Sequence, residues 1–207
     1  MQEKQHITSY RQSLKGRILN TAMEMFVTHG IKAVKMDDIA ASLGISKRTL
    51  YEIYENKEVL LFEGVKSQNE SMKAQTRAFA LNADNVMDIV LFIYRLKNQE
   101  IHDTLPQFYE DIQKYTSVTA YLEQQRQASQ QDFLSFMQRG VKEGYFRADV
   151  NYGLVSLLFE ALGGYMREHR LYQQYSSREL FNSVLLVMFR GLCTPKGVDV
   201  LDRFMEK

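Results

Sequence analysis

Residues Gly30 to Leu60, GIKAVKMDDIAASLGISKRTLYEIYENKEVL, decide how this chain folds. Met36, Ile39, Ala40 and Leu43 recur at i, i+3, i+4 and i+7, so they share one face of a helix. Asp37 and Asp38 lie in its first turn, where negative charge meets the positive end of the helix dipole. Gly44 follows the last apolar position, and a residue without Cβ adopts a left-handed C-terminal cap at least cost. Ile45 fills the wedge after that turn, and Ser46 suits the N-cap of a second helix. In that helix Leu50 and Tyr54 point inward with Ile45. Lys47, Arg48, Thr49 and Tyr51 are left on the outer side near the N-terminal end. Two short helices joined at a glycine, over about residues 35–54, make a helix-turn-helix, which sets the start of its second helix against DNA base edges and phosphates. Asn56 is placed to cap a following helix, with Lys57 at its start and able to reach a phosphate.

The string says more than a generic helical corner would. Gly30, Asp38-Ile39-Ala40, Gly44-Ile45-Ser46-Lys47, Thr49-Leu50-Tyr51, Tyr54 and Lys57-Glu58-x-Leu60 resemble the signature of the tetracycline-repressor (TetR) family of bacterial regulators. The resemblance extends back through Arg17-Ile18-Leu19-x-x-Ala22-x-x-x-Phe26-x-x-x-Gly30 and covers residues 13–62; beyond them it is one of size and helical layout. It implies DNA contacts at Lys35, Ser46, Lys47, Arg48, Thr49, Tyr51 and Lys57. Three positions depart from the pattern. Lys35 stands where the family has Ser or Thr, giving up a cap but keeping attraction to phosphate. Glu52 and Ile53 stand where His and Tyr are common, and a carboxylate facing DNA is repelled by phosphate though it can accept from a cytosine amine. The identity of the operator therefore does not carry over.

Composition bounds the remainder. The chain has 207 residues, two prolines and 11 glycines, and no alternating strand pattern or hairpin dipeptide, which predicts an all-α fold. Hydrophobic and charged fractions of 45% and 25% are those of an ordinary globular chain. No apolar run approaches a membrane span, and the N-terminus lacks the apolar core of an export signal, so the expectation is a cytoplasmic protein. One cysteine, Cys193, excludes an intramolecular disulfide framework and reads as a small buried residue. Net charge is only +1, but within residues 1–35 Lys4, Arg11, Lys15, Arg17, Lys32 and Lys35 oppose only Glu3 and Glu24. That basic bias suits phosphate contact, and a solvated mixed-charge surface accounts for it almost equally well.

The resemblance and the helical periodicities together divide the chain into a DNA-binding domain over residues 1–62 and a helical regulatory and dimerisation domain over 63–207, with about nine helices in all. A fourth helix is expected over residues 57–82, a fifth capped by Asn85 or Asp84, a short sixth from Pro106 and a long seventh over 116–143. An eighth spans 150–169. A ninth opens on the capping box Ser176-x-x-Glu179 and ends near Gly191, with Pro195 beyond it. The eighth carries Leu154, Leu157, Leu158, Leu162 and Tyr165 along one stripe. The ninth, with Phe181, Val184, Leu185 and Met188, is apolar almost all round and must be buried on more than one side. In the resembled family the last two helices pair as a four-helix dimer interface, which implies a homodimer through these residues. A two-fold dimer presents paired recognition helices to a palindromic site with half-sites ~34 Å apart or more.

Aromatic and methionine side chains are frequent in the second domain, as an adaptable apolar cavity or a plain core would require. The family implies a small-molecule pocket there, with Phe92, Arg95, His102, Phe108, Phe133, Met137 and Phe159 as its candidate lining and Gln138 as a further polar candidate. No metal-ligand spacing, phosphate loop or nucleophile motif is present. Glu110 and Asp111 are adjacent, do not share a helix face and read as solvated charges. The chain is thus expected to be no enzyme, to need no cofactor, and to be a ligand-responsive regulator, most simply a homodimeric repressor released by a small apolar or aromatic molecule. An activator or partner-controlled regulator, and in another class a helical enzyme or carrier, are the alternatives.

Overall fold

The computed structural model describes Gln2–Met205, and the side chains of all of these except residues 2–9, 100–103 and 177. The described chain is all-α. Its helices are α1 (Gln2–His29), α2 (Met36–Ser42), α3 (Lys47–Ile53), α4 (Lys57–Ala80), α5 (Val86–Asp103), α6 (Pro106–Ile112), α7 (Thr116–Ala128) and α8 (Gln130–Lys142). There follow α9 (Tyr152–Glu168), α10 (Leu171–Gln174), α11 (Ser177–Leu180), a π-helical segment Phe181–Leu186, α12 (Val187–Leu192) and α13 (Pro195–Met205). Among the described residues no strand forms; Phe146 and Cys193 make one isolated antiparallel bridge.

The helices outnumber the nine expected for identifiable reasons. The long seventh helix divides at Ser129, whose hydroxyl donates to the Gln125 carbonyl at 2.8 Å. That side chain shares the Gln125 carbonyl with the Ser129 N–H at 3.1 Å, and the helical run divides there into α7 and α8. The ninth is interrupted by the π-helical segment, and one extra residue in a turn rotates the downstream face by about 100°. The expected end near Gly191 is met by α12 at Leu192, and Pro195 beyond it opens a further helix, α13, at the one position where a missing N–H costs nothing. The expected caps are present elsewhere. Asn85 accepts from the N–H groups of Met87 (2.8 Å) and Asp88 (3.2 Å), and Asn56 from Val59 at 3.0 Å. Ser176 and Glu179 close a reciprocal capping box at 2.8 and 3.2 Å.

Two compact units result. The first comprises the chain up to Ser71 together with Gln107–Tyr121; the second comprises Met72–Pro106 and the chain from Leu122 onward. The first unit is built on Ile18, Ala22, Phe26, Ile31, Ile39, Leu50, Leu60 and Leu61, all fully buried. Each large side chain among them contributes about 1.5–3 kcal/mol relative to exposure. The second unit centres on Val86, Met87, Met137, Phe146, Leu192, Cys193 and Leu201. Phe146 packs edge-on against Phe189 at 5.4 Å and lies directly over Gly140, where any Cβ would strike its ring. Burial pushes the Cys193 thiol up to about 11, so it stays protonated and behaves as a small apolar side chain.

Asp111 corrects the sequence reading. It is not a solvated charge; it is fully buried within the first unit. Its Oδ2 accepts the backbone N–H of Lys32 at 2.7 Å, and its Oδ1 accepts from Lys114 Nζ at 2.9 Å and Gln107 Nε2 at 3.3 Å. Gly30, two residues before Lys32, has φ +86°, and a Cβ there would stand 3.0 Å from the Gln107 side chain. Segments far apart in sequence thus meet at one carboxylate. Burial pushes the Asp111 carboxyl up, but the three hydrogen bonds and the Lys114 charge outweigh it and hold the group below its ordinary value. A carboxylate so depressed stabilises the fold above its unfolded pKa, near 3.9, and loses that contribution as pH falls through the lower folded value.

Asp111→Asn is expected to lower stability by about 1–3 kcal/mol near neutral pH, measured by chemical denaturation. The loss should shrink as pH falls from the unfolded value near 3.9 through the lower folded one, where the wild-type carboxylate itself takes up a proton. An undiminished loss in acid would contradict this assignment.

Candidate nucleic-acid interface

The turn between α2 and α3 is built as its sequence prescribes. Gly44 has φ +64°; its N–H reaches the Ala41 carbonyl at 3.1 Å, and the Ile45 N–H reaches Ala40 at 3.0 Å. That pair of bonds is a Schellman cap. At the other end of α2, the Lys35 N–H donates to the Asp38 carboxylate at 2.8 Å, the acid half of a capping box, while the Asp38 N–H that a Ser or Thr side chain would have met bonds the Lys35 carbonyl at 3.1 Å. Ser46 caps α3 by accepting the Thr49 N–H at 3.0 Å, and the two hydroxyls pair at 2.8 Å.

α3 is anchored from within. Leu50 is fully buried and Tyr54 is 1% exposed. The Tyr54 hydroxyl donates to Glu63 at 3.3 Å, Glu63 pairs with Lys15 at 2.8 Å, and the Lys15 ammonium lies 5.5 Å over the Tyr54 ring. Burial, then the charge and hydrogen bond of Glu63, raise the phenol above its ordinary pKa, so it remains a neutral donor. Arg11 of α1 donates to the Glu52 carbonyl at 3.2 Å, meeting an end of α3 where carbonyls lack helical partners. Sequence reasoning did not single out Lys15, Glu63 or Arg11 for these roles, because their partners lie on other helices.

The outer face of α3 shows Lys47, Arg48 and Tyr51, all exposed, with the Tyr51 ring 48% accessible. Neither cation is free. Lys47 pairs with Asp37 of α2, and Arg48 Nε with Glu52 at 2.8 Å, one turn along α3. Hydrogen bonds and charge from these carboxylates raise both cations above their ordinary pKa, so each stays charged. Exposed pairs of this kind contribute little to stability and can be exchanged for a phosphate. Glu52 is therefore a local counter-charge to Arg48 as well as a potential repulsion toward DNA. Lys57 is turned inward, donating to the carbonyls of Ile31 (2.8 Å) and Val34 (2.9 Å). Burial lowers its pKa, opposed by the charges of Asp111 and Asp38, and one ammonium proton is left for a phosphate.

The remaining candidates distribute as follows. On α9, Leu154, Leu158 and Tyr165 are exposed and Leu162 is half-buried; Phe181, Val184, Leu185 and Met188 are half-buried. Of the pocket candidates, Phe108 is buried in the first unit, whereas Phe92, Arg95, Phe133, Met137 and Phe159 belong to the second. Phe133 and Phe159 meet at 6.3 Å around the core that holds Met137, and Phe92 stacks on Phe79 at 4.2 Å. Arg95 and Gln138 are exposed, and the His102 side chain lies outside the described residues.

A capped, internally anchored α3 presenting cations and an exposed tyrosine defines a helix-turn-helix protein of the DNA-binding regulator class. A family model described as "Bacterial regulatory proteins, tetR family" matches residues 18–63. The chain is 27% identical over 148 residues to the "HTH-type transcriptional repressor KstR2" of Mycobacterium tuberculosis, covering 69% of this chain and 74% of that protein. The structure of the ketosteroid transcriptional regulator KstR2 from the same organism superposes with a TM-score of 0.56 at 22% identity, covering 87% of this chain and 95% of the other. A TetR-family regulator from Agrobacterium tumefaciens superposes with a TM-score of 0.69 at 14% identity, covering 89% and 100%. Over residues 18–63 the chain is thus similar to the TetR family of bacterial regulatory proteins, and the helix-turn-helix there is that of a DNA-binding regulator.

Ser46→Ala is expected to cost about 1 kcal/mol of stability through the lost cap, read by thermal unfolding. Glu52→Gln should leave the fold intact and strengthen binding to non-specific duplex DNA roughly threefold to tenfold in low salt, because it removes a carboxylate from the DNA-facing helix. A fluorescence-anisotropy titration that shows weaker binding would overturn the reading of Glu52.

Proposed function

We propose that the protein is a homodimeric repressor that acts in the cytoplasm, binds a palindromic operator through paired α3 helices, and releases it when a small apolar or aromatic molecule binds the second unit. The division at about residue 62 into a reading domain and a regulatory domain belongs to the same reading, as do the contacts from Lys35, Ser46, Lys47, Arg48, Thr49, Tyr51 and Lys57. Repression is supported by the likeness to a protein named a transcriptional repressor.

The observation that carries the dimer is the surface of α9. Leu154, Leu157, Leu158 and Tyr165 are 63%, 54%, 56% and 55% exposed, and Val187 of α12 is 62% exposed. Apolar side chains repeating along one helix face in this way mark a surface that a partner covers, and a two-fold contact lets the same patch cover itself. A dimer also gives the regulator its readout. An effector that binds one conformation of the second unit more tightly than another shifts the spacing of the paired recognition helices, and the coupling cannot exceed that difference in affinity.

Selection from random duplex DNA by the purified protein should enrich a palindrome. Failure to do so at low salt would sink the operator reading. Lys47→Ala and Tyr51→Ala are each expected to weaken binding to the selected site by about tenfold or more with the melting temperature unchanged. Leu158→Glu should convert the species seen by light scattering from dimer to monomer, and wild-type protein that is already monomeric at micromolar concentration would refute the dimer.

A further inference from the structure

The second unit carries an open groove of about 570 Å³ at the end of α5, between α11 and the last turn of α13. Its α5 wall is Tyr94, Arg95, Asn98 and Gln99; Arg178 and Phe204 face it from α11 and α13. The four α5 residues lie one turn apart in two adjacent pairs, so they form a continuous strip on one side of that helix.

The floor is aromatic and held in place. The Tyr94 ring stands edge-on to Phe204 at 5.4 Å and tilted against Phe181 at 5.4 Å. Its hydroxyl meets the Asn182 side-chain oxygen at 3.3 Å, which fixes the ring. Over that floor the Arg95 guanidinium lies 5.0 Å from the Phe204 ring, a cation resting on a π face in place of a carboxylate.

Among the described residues that line the groove, the charged side chains are both cationic. Neither Arg95 nor Arg178 forms an ion pair with a described carboxylate, and no acid is among the residues that line the groove. The aspartates of α13 are occupied elsewhere: Asp199 by Arg203 at 2.7 Å and Asp202 by Arg190 at 2.8 Å. Two guanidinium groups with planar donor forks, two side-chain amides and an aromatic floor within a volume of small-molecule size describe a complementary ligand. Its head is a monoanion that accepts paired N–H bonds, and its body is flat or aliphatic and covers the rings. Inorganic phosphate fits this site poorly, because it is strongly hydrated and leaves the apolar floor uncovered.

We propose that this groove is a binding site for an organic carboxylate with an aromatic or aliphatic body, the carboxylate held by Arg95 and Arg178. That such a ligand acts as the effector rests on the regulatory reading above; that it binds does not.

The test is calorimetry on the full-length, DNA-free protein with phenylacetate and octanoate, each against its methyl ester, and with inorganic phosphate alone. Saturable binding of a carboxylate is expected, with the ester about tenfold weaker. Arg178→Gln and Arg95→Gln should each weaken it about tenfold. Arg178 is exposed, so Arg178→Gln should keep the wild-type melting temperature even if Arg95→Gln, which also removes a ring contact, does not. No carboxylate binding, an ester that binds as tightly as its acid, phosphate that binds as well as either carboxylate, or an Arg178→Gln variant with wild-type affinity would overturn the site. A second arm separates the two readings. If binding fails while the protein still recognises its operator, the groove assignment falls and the regulator stands. If the carboxylate binds and leaves operator affinity unchanged, the groove stands and the effector role falls.

Discussion

The buried carboxylate of Asp111 is the constraint on which the DNA-reading end of the molecule depends. It has no water to fall back on, so it must be met by protein donors, and three meet it: the Lys32 N–H, Gln107 and Lys114. Lys32 belongs to the turn that leads from α1 into α2, while Gln107 and Asp111 belong to α6. Lys57 grips the same turn from α4, through the carbonyls of Ile31 and Val34. A short segment between two helices is thus held at its N–H by an anion and at its carbonyls by a cation. α2 starts where that turn ends, and α3 starts two turns later, so the pose of the recognition helix is inherited from this clamp.

Within that pose the structure separates what holds α3 from what α3 shows. Leu50 and Tyr54 hold it, with Lys15, Glu63 and Arg11 completing the attachment. Lys47, Arg48 and Tyr51 are shown. The two cations rest on Asp37 and Glu52, which balances their charge without burying either of them. Exchange of an exposed carboxylate for a phosphate costs little, because water screens both states. The near-zero net charge of the whole chain is therefore compatible with a DNA-binding surface.

The second unit is organised around a conventional apolar core, yet it leaves two kinds of surface uncovered. One is the leucine-rich face of α9; the other is the cationic aromatic groove at the end of α5. In the dimer proposed above the first is covered by a copy of itself, since an isologous contact needs only one kind of patch. The second is the groove proposed above to take a carboxylate, where Arg95 rests on the Phe204 ring. Neither was apparent from composition, because the same residues could equally have lined a monomer core.

The sequence by itself determined what is local. The apolar spacing of α2, the glycine turn, the Ser46 cap, the inward Leu50 and Tyr54 and the caps at Asn56, Asn85 and Ser176 all depend on neighbours within a turn or two, and periodicity reports these directly. It also set the all-α class and the kind of protein this is. Only the tertiary structure decided what depends on distant partners. Asp111 reads as a surface acid until the Lys32 N–H, 79 residues away, is brought to it. The hold of Lys57 on the carbonyls of Ile31 and Val34, and the place of Phe108 in the first unit, likewise depend on partners distant in sequence. The break at Ser129 and the helix begun at Pro195 fall between these cases, since each residue permits more than one local geometry and packing selects among them. Burial and charge pairing are properties of the folded surface, and for that reason the sequence specified the helix while the fold chose which carboxylates its cations rest on.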